Sequence, residues 1–454
     1  MKYLFSILLL SLFWLKTEAQ NDEAIIKSIY NESLTQSPSY DNLKYLTKSI
    51  GNRLSGSPQA AAAVEFTRQL MKSYDLDTVF LQPVMVPHWV RGEKEELKIV
   101  SNLFGTYDLT ITALGNSIGT GAEGIVGKVI EVQDIEDLEK LGKKKIDGHI
   151  VFFNKGFDFS IIDPFQAYGT CIKQRVNGAS EAAKYGAVGV IVRSLASQID
   201  DVPHTGSLKY EDGVKQIPAI AVSTLDADFL SKTLKLDLQL KVFFKTTCKM
   251  EEMELSYNVI GQLNGTEKSD EFILVGAHLD SWDVGEGAHD DGGGCMQSIE
   301  VLRIFKKLGI QPKHNLRAVM FMNEENGRKG GDAYADIAIK NNEKHIIALE
   351  SDRGVFSPRG FTIEDPNLLN KIKGWASLFE SYGIYEFIKG GGGSDISPLK
   401  NQSTKMIGFL PDAQRYFTLH HTAADVFEVV DKRELEMGSA TITSLIYLLD
   451  KYGL

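Results

Sequence analysis

Short apolar runs alternate with longer amphipathic segments in the second half of the chain. The apolar runs predict strands at 272–276, 316–322, 346–350 and 405–410. Apolar residues at helical spacing predict helices at 292–308, 329–341, 366–382 and 433–451. This alternation predicts an α/β fold in which a central sheet lies between layers of helices.

The first half of the chain has two different textures. Residues 21–75 show helical spacing on either side of the turn-like stretch GNRLSGSP, and residues 77–117 alternate in a strand-like way. From 118 to 250, β-rich runs such as GHIVFFN and AVGVIVRS are separated by turns and a few helices, and this block is as long as a separate domain. We therefore predict one α/β domain, made of 20–117 and 251–454, interrupted by a β-rich insertion at 118–250.

The N-terminus, MKYLFSILLLSLFWLKTEAQ, has the pattern of a secretory signal peptide. Lys2 precedes a mostly apolar stretch that is too short to cross a bilayer comfortably, and Thr17-Glu18-Ala19 resembles a cleavage site. We expect cleavage after residues 1–19 and export to a periplasm or to the outside of the cell, without stable membrane association. An uncleaved membrane anchor is the alternative.

Charge and cysteine content limit the partners and cross-links. The 454 residues carry a net charge of −11, which argues against nucleic acid as a partner because phosphate binding needs clustered Lys and Arg. The three cysteines, Cys171, Cys248 and Cys295, leave at least one thiol free. A Cys171–Cys248 disulfide stays open, and Cys295 is expected to be a buried member of a helix.

Four polar clusters carry the candidate chemistry, and the first three directly follow apolar runs. GAHLDSWDVGEGAHDDGGG begins at Gly276, MNEENG contains Glu324 and Glu325, ESDRG contains Glu350 and Asp352, and LHHTAAD contains His420, His421 and Asp425. Each cluster alone is an ordinary surface feature. Because the ends of parallel strands meet at one edge of a sheet, the four together predict a single site.

Imidazole and carboxylate ligands without cysteine suit zinc and, less specifically, manganese or cobalt. A pair of metal ions needs a carboxylate between them, ligands on each side, and a further carboxylate that takes a proton from water. The adjacent Glu324 and Glu325 would fit a division of labour between base and ligand. The glycines at 292–294 would let the backbone pass close to the ions.

These motifs, in this order, resemble the co-catalytic dizinc aminopeptidase family over nearly the whole mature chain. The resemblance implies a zinc-peptidase α/β/α sandwich with a mixed central sheet, interrupted by an inserted protease-associated domain at 118–250. It also implies two zinc ions per chain, a small peptide substrate and a homodimer.

The resemblance also assigns roles to individual residues. His278 and Asp352 would bind one zinc ion, Glu325 and His421 the other, and Asp290 would bridge the two. Glu324 would be the general base, and Asp280 would orient His278 and raise its basicity. His421 is preferred to its neighbour His420 because it stands just before Thr422, although the two could exchange roles.

Four further residues are expected to contact the substrate: Trp282, His289, Ser394 and Asp395. Core packing is the alternative for Trp282, a partly buried histidine with a satisfied hydrogen bond is the alternative for His289, and a simple flexible loop is the alternative for KGGGGSDISPL. The expected activity is hydrolysis of dipeptides or short peptides with free termini through a metal-bridged water. The alternatives are an aminopeptidase on longer peptides, a glutaminyl cyclase, and a peptidase-like binding protein without metals.

Overall fold

The computed structural model describes residues 21–454, apart from the side chains of Lys268, Ser269 and Asn401. The predicted signal peptide, residues 1–19, lies outside the described residues. No helix within 21–454 combines the length and the apolar character that a bilayer crossing requires.

The larger sheet has eight strands. They are β1 (Thr78–Val86), β2 (Glu254–Leu263), β3 (Lys268–His278), β4 (His314–Phe321), β5 (Lys344–Glu350), β6 (Pro358–Ile363), β7 (Glu386–Lys389) and β8 (Lys405–Pro411). Their order across the sheet is β1-β2-β4-β3-β5-β8-β6-β7. The central strands β4, β3, β5 and β8 run parallel, whereas β1 pairs antiparallel with β2, β2 with β4, and β6 with β8. The sheet is therefore mixed, as predicted, and its four central strands end at one edge.

Helices cover both faces of this sheet. They span 21–36, Ser39–Lys44, Pro58–Ser73, Gly293–Leu308, Lys329–Lys340, Pro366–Lys373 and Lys432–Tyr452. In β3, Ile273 and Val275 pack toward Gly293–Leu308 and Lys432–Tyr452, while Leu274 packs toward Lys329–Lys340 on the opposite face. Alternate side chains of one strand thus enter two cores, which is why the central strands read as continuous apolar runs.

The helix predicted at 366–382 is shorter than expected. Asp365 caps its first turn and Pro366 opens it, but the helix ends at Lys373 before Gly374. Two single turns of 3₁₀ helix follow, at Ala376–Leu378 and Glu380–Tyr382. Glycine is a poor helix former, so the helix ends there, although apolar residues at helical spacing continue beyond it.

A second eight-stranded sheet lies between β1 and β2 in the chain. Its strands are Glu96–Ser101, Gly105–Leu109, Ile111–Ala113, Ile125–Val132, Ile150–Phe153, Gly189–Arg193, Ala219–Val222 and Lys241–Lys245. Its helices are Glu136–Leu141, Lys143–Ile146, Pro164–Val176, Gly178–Lys184 and Thr224–Leu236. Apolar side chains pack on both of its faces, with Phe153 on one side and Phe152 on the other.

The second sheet begins before the predicted boundary at residue 118. Glu96–Ser101 pairs antiparallel with Lys241–Lys245, and Ile111–Ala113 pairs with Ala219–Val222. A two-stranded ribbon of Trp89–Val90 and Lys249–Met250 joins the chain where it enters and leaves this sheet. Alternation alone does not tell which of two sheets a strand joins, because that choice depends on distant partners.

All three cysteines are free and buried, so the Cys171–Cys248 disulfide left open by the sequence is not formed. Cys295 lies inside the helix Gly293–Leu308 with its side chain fully buried, as predicted.

Candidate metal centre and active site

The carboxyl ends of three adjacent parallel strands bring the predicted ligands together. His278 is the last residue of β3, Glu325 follows β4, and Asp352 follows β5. Asp290 lies in the turn Ala288–Gly292 that leads into the helix Gly293–Leu308. His421 follows the short helix Tyr416–Leu419 rather than a strand, so its position depends on the tertiary fold.

The other four side chains converge around Asp290. Its Oδ1 lies 3.2 Å from His278 Nε2, which is also 3.5 Å from Asp352 Oδ1. Its Oδ2 lies 3.5 Å from His421 Nε2, which is also 3.1 Å from Glu325 Oε2. Two groups of ligand atoms therefore share one carboxylate.

This donor set fits a pair of zinc ions. Each group combines one imidazole nitrogen with carboxylate oxygens, which are ligands that zinc accepts readily. Asp290 Oδ2 is buried and has no hydrogen-bond partner in the described part of the chain. An unsatisfied buried carboxylate oxygen between the two groups is the feature that a bridging ligand would show.

His420 is the competing ligand at the second group. Its Nε2 lies 3.8 Å from Asp290 Oδ2, and its ring stacks on His421 with centroids 3.5 Å apart. His421 alone of the two also has Glu325 at close range, and His420 is enclosed by the rings of Tyr168, Tyr416 and Phe417. The geometry therefore favours His421 without removing His420 from the site.

Asp280 is fully buried and acts on main-chain groups. Its Oδ1 accepts the N–H of Asn323 at 2.7 Å and of Glu324 at 3.0 Å, and its Oδ2 accepts the N–H of Glu325 at 3.2 Å. Its carboxylate lies 3.9 Å from His278 Nδ1, beyond hydrogen-bond distance, whereas its own main-chain oxygen is 2.9 Å from that nitrogen. Asp280 thus joins the ends of β3 and β4.

Glu324 lines the cavity beside both ligand groups. Burial raises the pKa of its carboxyl to about 7, with His278 opposing the rise and the carboxylates of Asp352 and Asp280 adding to it. A carboxylate whose pKa lies near neutrality can both accept and return a proton at ordinary pH.

Two residues without a predicted role hold the main chain around Asp290. Asp425 accepts the N–H of His289 at 2.8 Å and the N–H of Asp290 at 3.1 Å. Arg53, fully buried in the stretch GNRLSGSP, donates to main-chain oxygens of the loop between His278 and Asp290, at Leu279, Glu286 and Gly287. An arginine in a turn-like stretch gives no local signal of such a role, because its partners are more than two hundred residues away.

The four residues expected near the substrate occupy different places. Trp282 is buried, packs edge-on against Trp89 and His421, and lines a crevice with Asp290 and Glu325. The His289 ring stacks on Phe356, and its two nitrogens contact the main chain of Val355 and Val429.

Ser394 lines an outer pocket with Arg353, and Asp395 is buried near Glu350. None of the four residues expected near the substrate is among those that line the cavity beside Glu324.

The cavity beside Glu324, of about 310 Å³, lies between two parts of the protein. We call them the larger unit, built on the first eight-stranded sheet, and the smaller unit, built on the second sheet. The larger unit contributes four of the five candidate ligands, all except His278, together with Glu324 and the aromatic residues Tyr416 and Phe417. The helix Pro164–Val176 of the smaller unit contributes four residues: Phe165, Tyr168, Ile172 and Arg175. The guanidinium of Arg175 is buried, and its Nε has no hydrogen-bond partner in the described residues, so a cationic group faces the site.

Comparisons with known proteins agree with this geometry. A family model described as Peptidase family M28 matches residues 258–446. Carboxypeptidase Q of Bos taurus is 33% identical, with 96% of this chain and 90% of that protein aligned. The crystal structure of a peptidase M28 precursor from Shewanella amazonensis SB2B has a TM-score of 0.90 at 30% identity, covering 96% of this chain and 98% of that one.

The fold is also shared with a zinc aminopeptidase from Bacillus subtilis. That comparison has a TM-score of 0.67 at 20% identity and covers 93% of this chain and 97% of the other. Identity of this extent over nearly the full length of the bovine relative confirms the resemblance seen in the motifs. The chain therefore belongs to peptidase family M28.

Proposed function

We propose that the protein is a zinc exopeptidase that hydrolyses dipeptides or short peptides with free termini, using two zinc ions. The observation that carries this proposal is the position of Asp290, whose two oxygens face His278 and His421 on opposite sides. His278 and Asp352 would hold one ion, Glu325 and His421 the other, with Asp290 between them.

When bound, the two ions would acidify a water molecule and polarise the scissile carbonyl. Glu324 would accept the proton of that water and later deliver it to the leaving amine. Asp280 fixes its main chain through the N–H at 3.0 Å. The aromatic residues around the cavity would exclude bulk water from the reacting groups.

The preference for free termini rests on the cavity and on the two kinds of relative. A volume of about 310 Å³ is in the range of pockets for small molecules, which suits a substrate as small as a dipeptide. One relative is named a carboxypeptidase and another an aminopeptidase. A dipeptide satisfies both descriptions, since its single peptide bond adjoins both termini. Arg175 could bind a free carboxylate, for which a guanidinium is suited.

Two further features belong to this proposal. The second sheet would be an inserted protease-associated domain, which is supported by the resemblance of GHIVFFN and KYGAVGVIV, the segments around the strands Ile150–Phe153 and Gly189–Arg193. Export is supported by the sequence of residues 1–19 alone, and the homodimer by the family resemblance alone.

The test is metal analysis followed by a panel of peptides, with and without a chelator. We expect two zinc ions per chain, and hydrolysis of free dipeptides that stops when the metal is removed and returns when zinc is added. N-acetylated and C-amidated dipeptides should be cleaved poorly. Rapid cleavage of long peptides from the N-terminus would instead show an aminopeptidase, and no hydrolysis by the zinc-loaded protein would defeat the proposal.

A further inference from the structure

A loop of the second sheet reaches into the candidate metal centre. It lies between the strands Gly189–Arg193 and Ala219–Val222, and its residue Thr205 makes two main-chain contacts with His421. The N–H of Thr205 donates to the main-chain oxygen of His421 at 3.0 Å, and the oxygen of Thr205 lies 3.3 Å from His421 Nδ1.

We infer that this loop is a positioning element for His421, a role that rests on the proposed function. The main-chain oxygen of Thr205 accepts the Nδ1–H of His421, which leaves the Nε2 lone pair directed at Glu325 and Asp290. Metal-binding histidines commonly donate their second ring N–H in this way, and the acceptor fixes both the tautomer and the ring orientation. In this protein the acceptor comes from a different unit than the ligand.

The second neighbour of His421 Nδ1 cannot take this role. Arg175 Nη1 lies 3.4 Å from the same nitrogen, but a guanidinium carries only donors. If Arg175 donated to Nδ1, the proton would sit on Nε2 and the ring could not bind a metal through that atom. Thr205 therefore decides the tautomer that metal binding requires.

The loop is itself firmly held. Thr205 is buried, and its hydroxyl donates to the oxygen of Ala113 at 2.8 Å. The next residue, Gly206, accepts the N–H of Gly115 at 3.0 Å, and the N–H of His204 donates to Ser194 Oγ at 2.9 Å. These contacts anchor the loop to the second sheet. The second sheet therefore fixes the position of Thr205, which contacts His421.

Gly206 is required at its position for two reasons. Its φ of +131° lies in a region that residues with a side chain rarely adopt. A Cβ there would lie 2.4 Å from Arg175 Nη1 and 2.7 Å from His421 Nδ1. A single added methyl group at Gly206 should therefore push against the imidazole of His421.

Gly213 offers a matched control. It also has a positive φ, +79°, but no heavy atom lies within 4 Å of the place where its Cβ would be. Gly206→Ala and Gly213→Ala both place a side chain at a positive φ, whereas only Gly206→Ala disturbs His421. Both variants should be loaded with zinc, and the affinity of each zinc equivalent measured by competition with a chelator, together with kcat, KM and the melting temperature.

We expect Gly206→Ala to weaken one zinc equivalent about 10- to 100-fold, the range seen when partners of metal ligands are removed, and to leave the other unchanged. Its kcat should fall, and KM for free dipeptides should rise as well, because the added Cβ also lies 2.4 Å from Arg175 Nη1. Gly213→Ala should bind both equivalents like the wild type. The inference would be overturned if Gly206→Ala bound each zinc equivalent as tightly as Gly213→Ala does.

A measurement on the wild type covers the case in which Gly206→Ala does not fold. In zinc-loaded protein labelled with ¹⁵N at histidine, the His421 signals should show a protonated Nδ1 and a metal-bound Nε2. A proton on Nε2 would overturn the role of Thr205. If the wild type itself binds fewer than two zinc ions, the proposed function fails. If the wild type binds two zinc ions and both variants bind them equally well, only the role of the Thr205 loop fails.

Discussion

The carboxylate of Asp280 accepts the backbone N–H of Glu324 at 3.0 Å, so the residue that follows β3 fixes the main chain that follows β4. The same carboxylate also accepts the N–H groups of Asn323 and Glu325. One buried side chain thus sets the positions of the candidate base and of a candidate ligand.

Asp280→Asn should lower kcat and zinc affinity, each about 10- to 100-fold, because an amide has one acceptor oxygen for three N–H groups. Asp450→Asn is the matched control. Asp450 is also buried and accepts the N–H groups of Lys313 and His314, at the opposite end of β4 from Glu324. Its loss should lower the melting temperature but leave kcat and zinc content intact. If both variants affect kcat equally, Asp280 has only a structural role.

Glu324→Gln should lower kcat about 10²- to 10⁴-fold, the usual contribution of a general base, with both zinc ions retained. Glu325→Gln should instead lose zinc, because this change removes a ligand oxygen that lies 3.1 Å from His421 Nε2. Metal content and kcat measured on the two variants separate the roles. A Glu324→Gln enzyme of full activity would contradict the assignment of the base.

His421→Ala should lose about one zinc equivalent, and His420→Ala should keep both. The reason is that Glu325 lies close to His421, whereas His420 is enclosed by aromatic rings. The two variants are controls for each other, and zinc per chain after dialysis is the measurement. If only His420→Ala lost zinc, His420 would be the ligand and His421 its neighbour.

Arg175→Met should raise KM for free dipeptides about 10- to 100-fold, which corresponds to a charge-assisted hydrogen bond of about 1.5–3 kcal/mol. KM for C-amidated dipeptides should change little. The control is Arg193→Met, since Arg193 is equally buried in the second sheet but pairs with Asp228 and does not line the cavity. An unchanged KM for the free dipeptides would contradict a role of Arg175 in binding the carboxylate.

His345 should make the protein less stable in acid. Burial lowers its pKa from 6.5 to about 3, and the guanidinium of Arg317 adds to the fall. Between these pH values the unfolded chain binds the proton more readily, so the free energy of unfolding falls as the pH falls. From pH 7 to 5 the loss from this group is about 2 kcal/mol.

His345→Gln removes this pH-dependent term. Urea unfolding of both proteins at several pH values gives the difference in the free energy of unfolding. Between pH 7 and 5, the wild type should lose about 2 kcal/mol more of its free energy of unfolding than the variant does. A difference that stays constant with pH would show that the folded protein accommodates the charged imidazole.

Much of the candidate site could be predicted because it lies at the ends of recognisable strands. His278, Glu325 and Asp352 each follow an apolar run that the pattern predicts as a strand, and the structure forms those runs as the adjacent parallel strands β3, β4 and β5. Local sequence determines such strands through the burial of both faces, and parallel neighbours necessarily end at the same edge.

Other features depend on partners that are distant in sequence. The strands from Glu96 to Ala113 pair with the second sheet, although their alternation would fit either sheet. The helix predicted to extend to residue 382 ends at Lys373, where Gly374 interrupts it. The roles of Arg53, Arg175 and Thr205 have no local signal, because they come from contacts with residues between 216 and 246 positions away.

By itself, the sequence determined the types of ligand side chain and the strands, in order along the chain, that most of them follow. The reason is that side-chain chemistry and hydrophobic periodicity are local properties. Only the tertiary structure decided that a loop of the second sheet holds His421 and that its helix supplies Arg175 to the cavity. The reason is that hydrogen bonds and packing between two separately formed units depend on how those units come together, which no short stretch of either unit encodes.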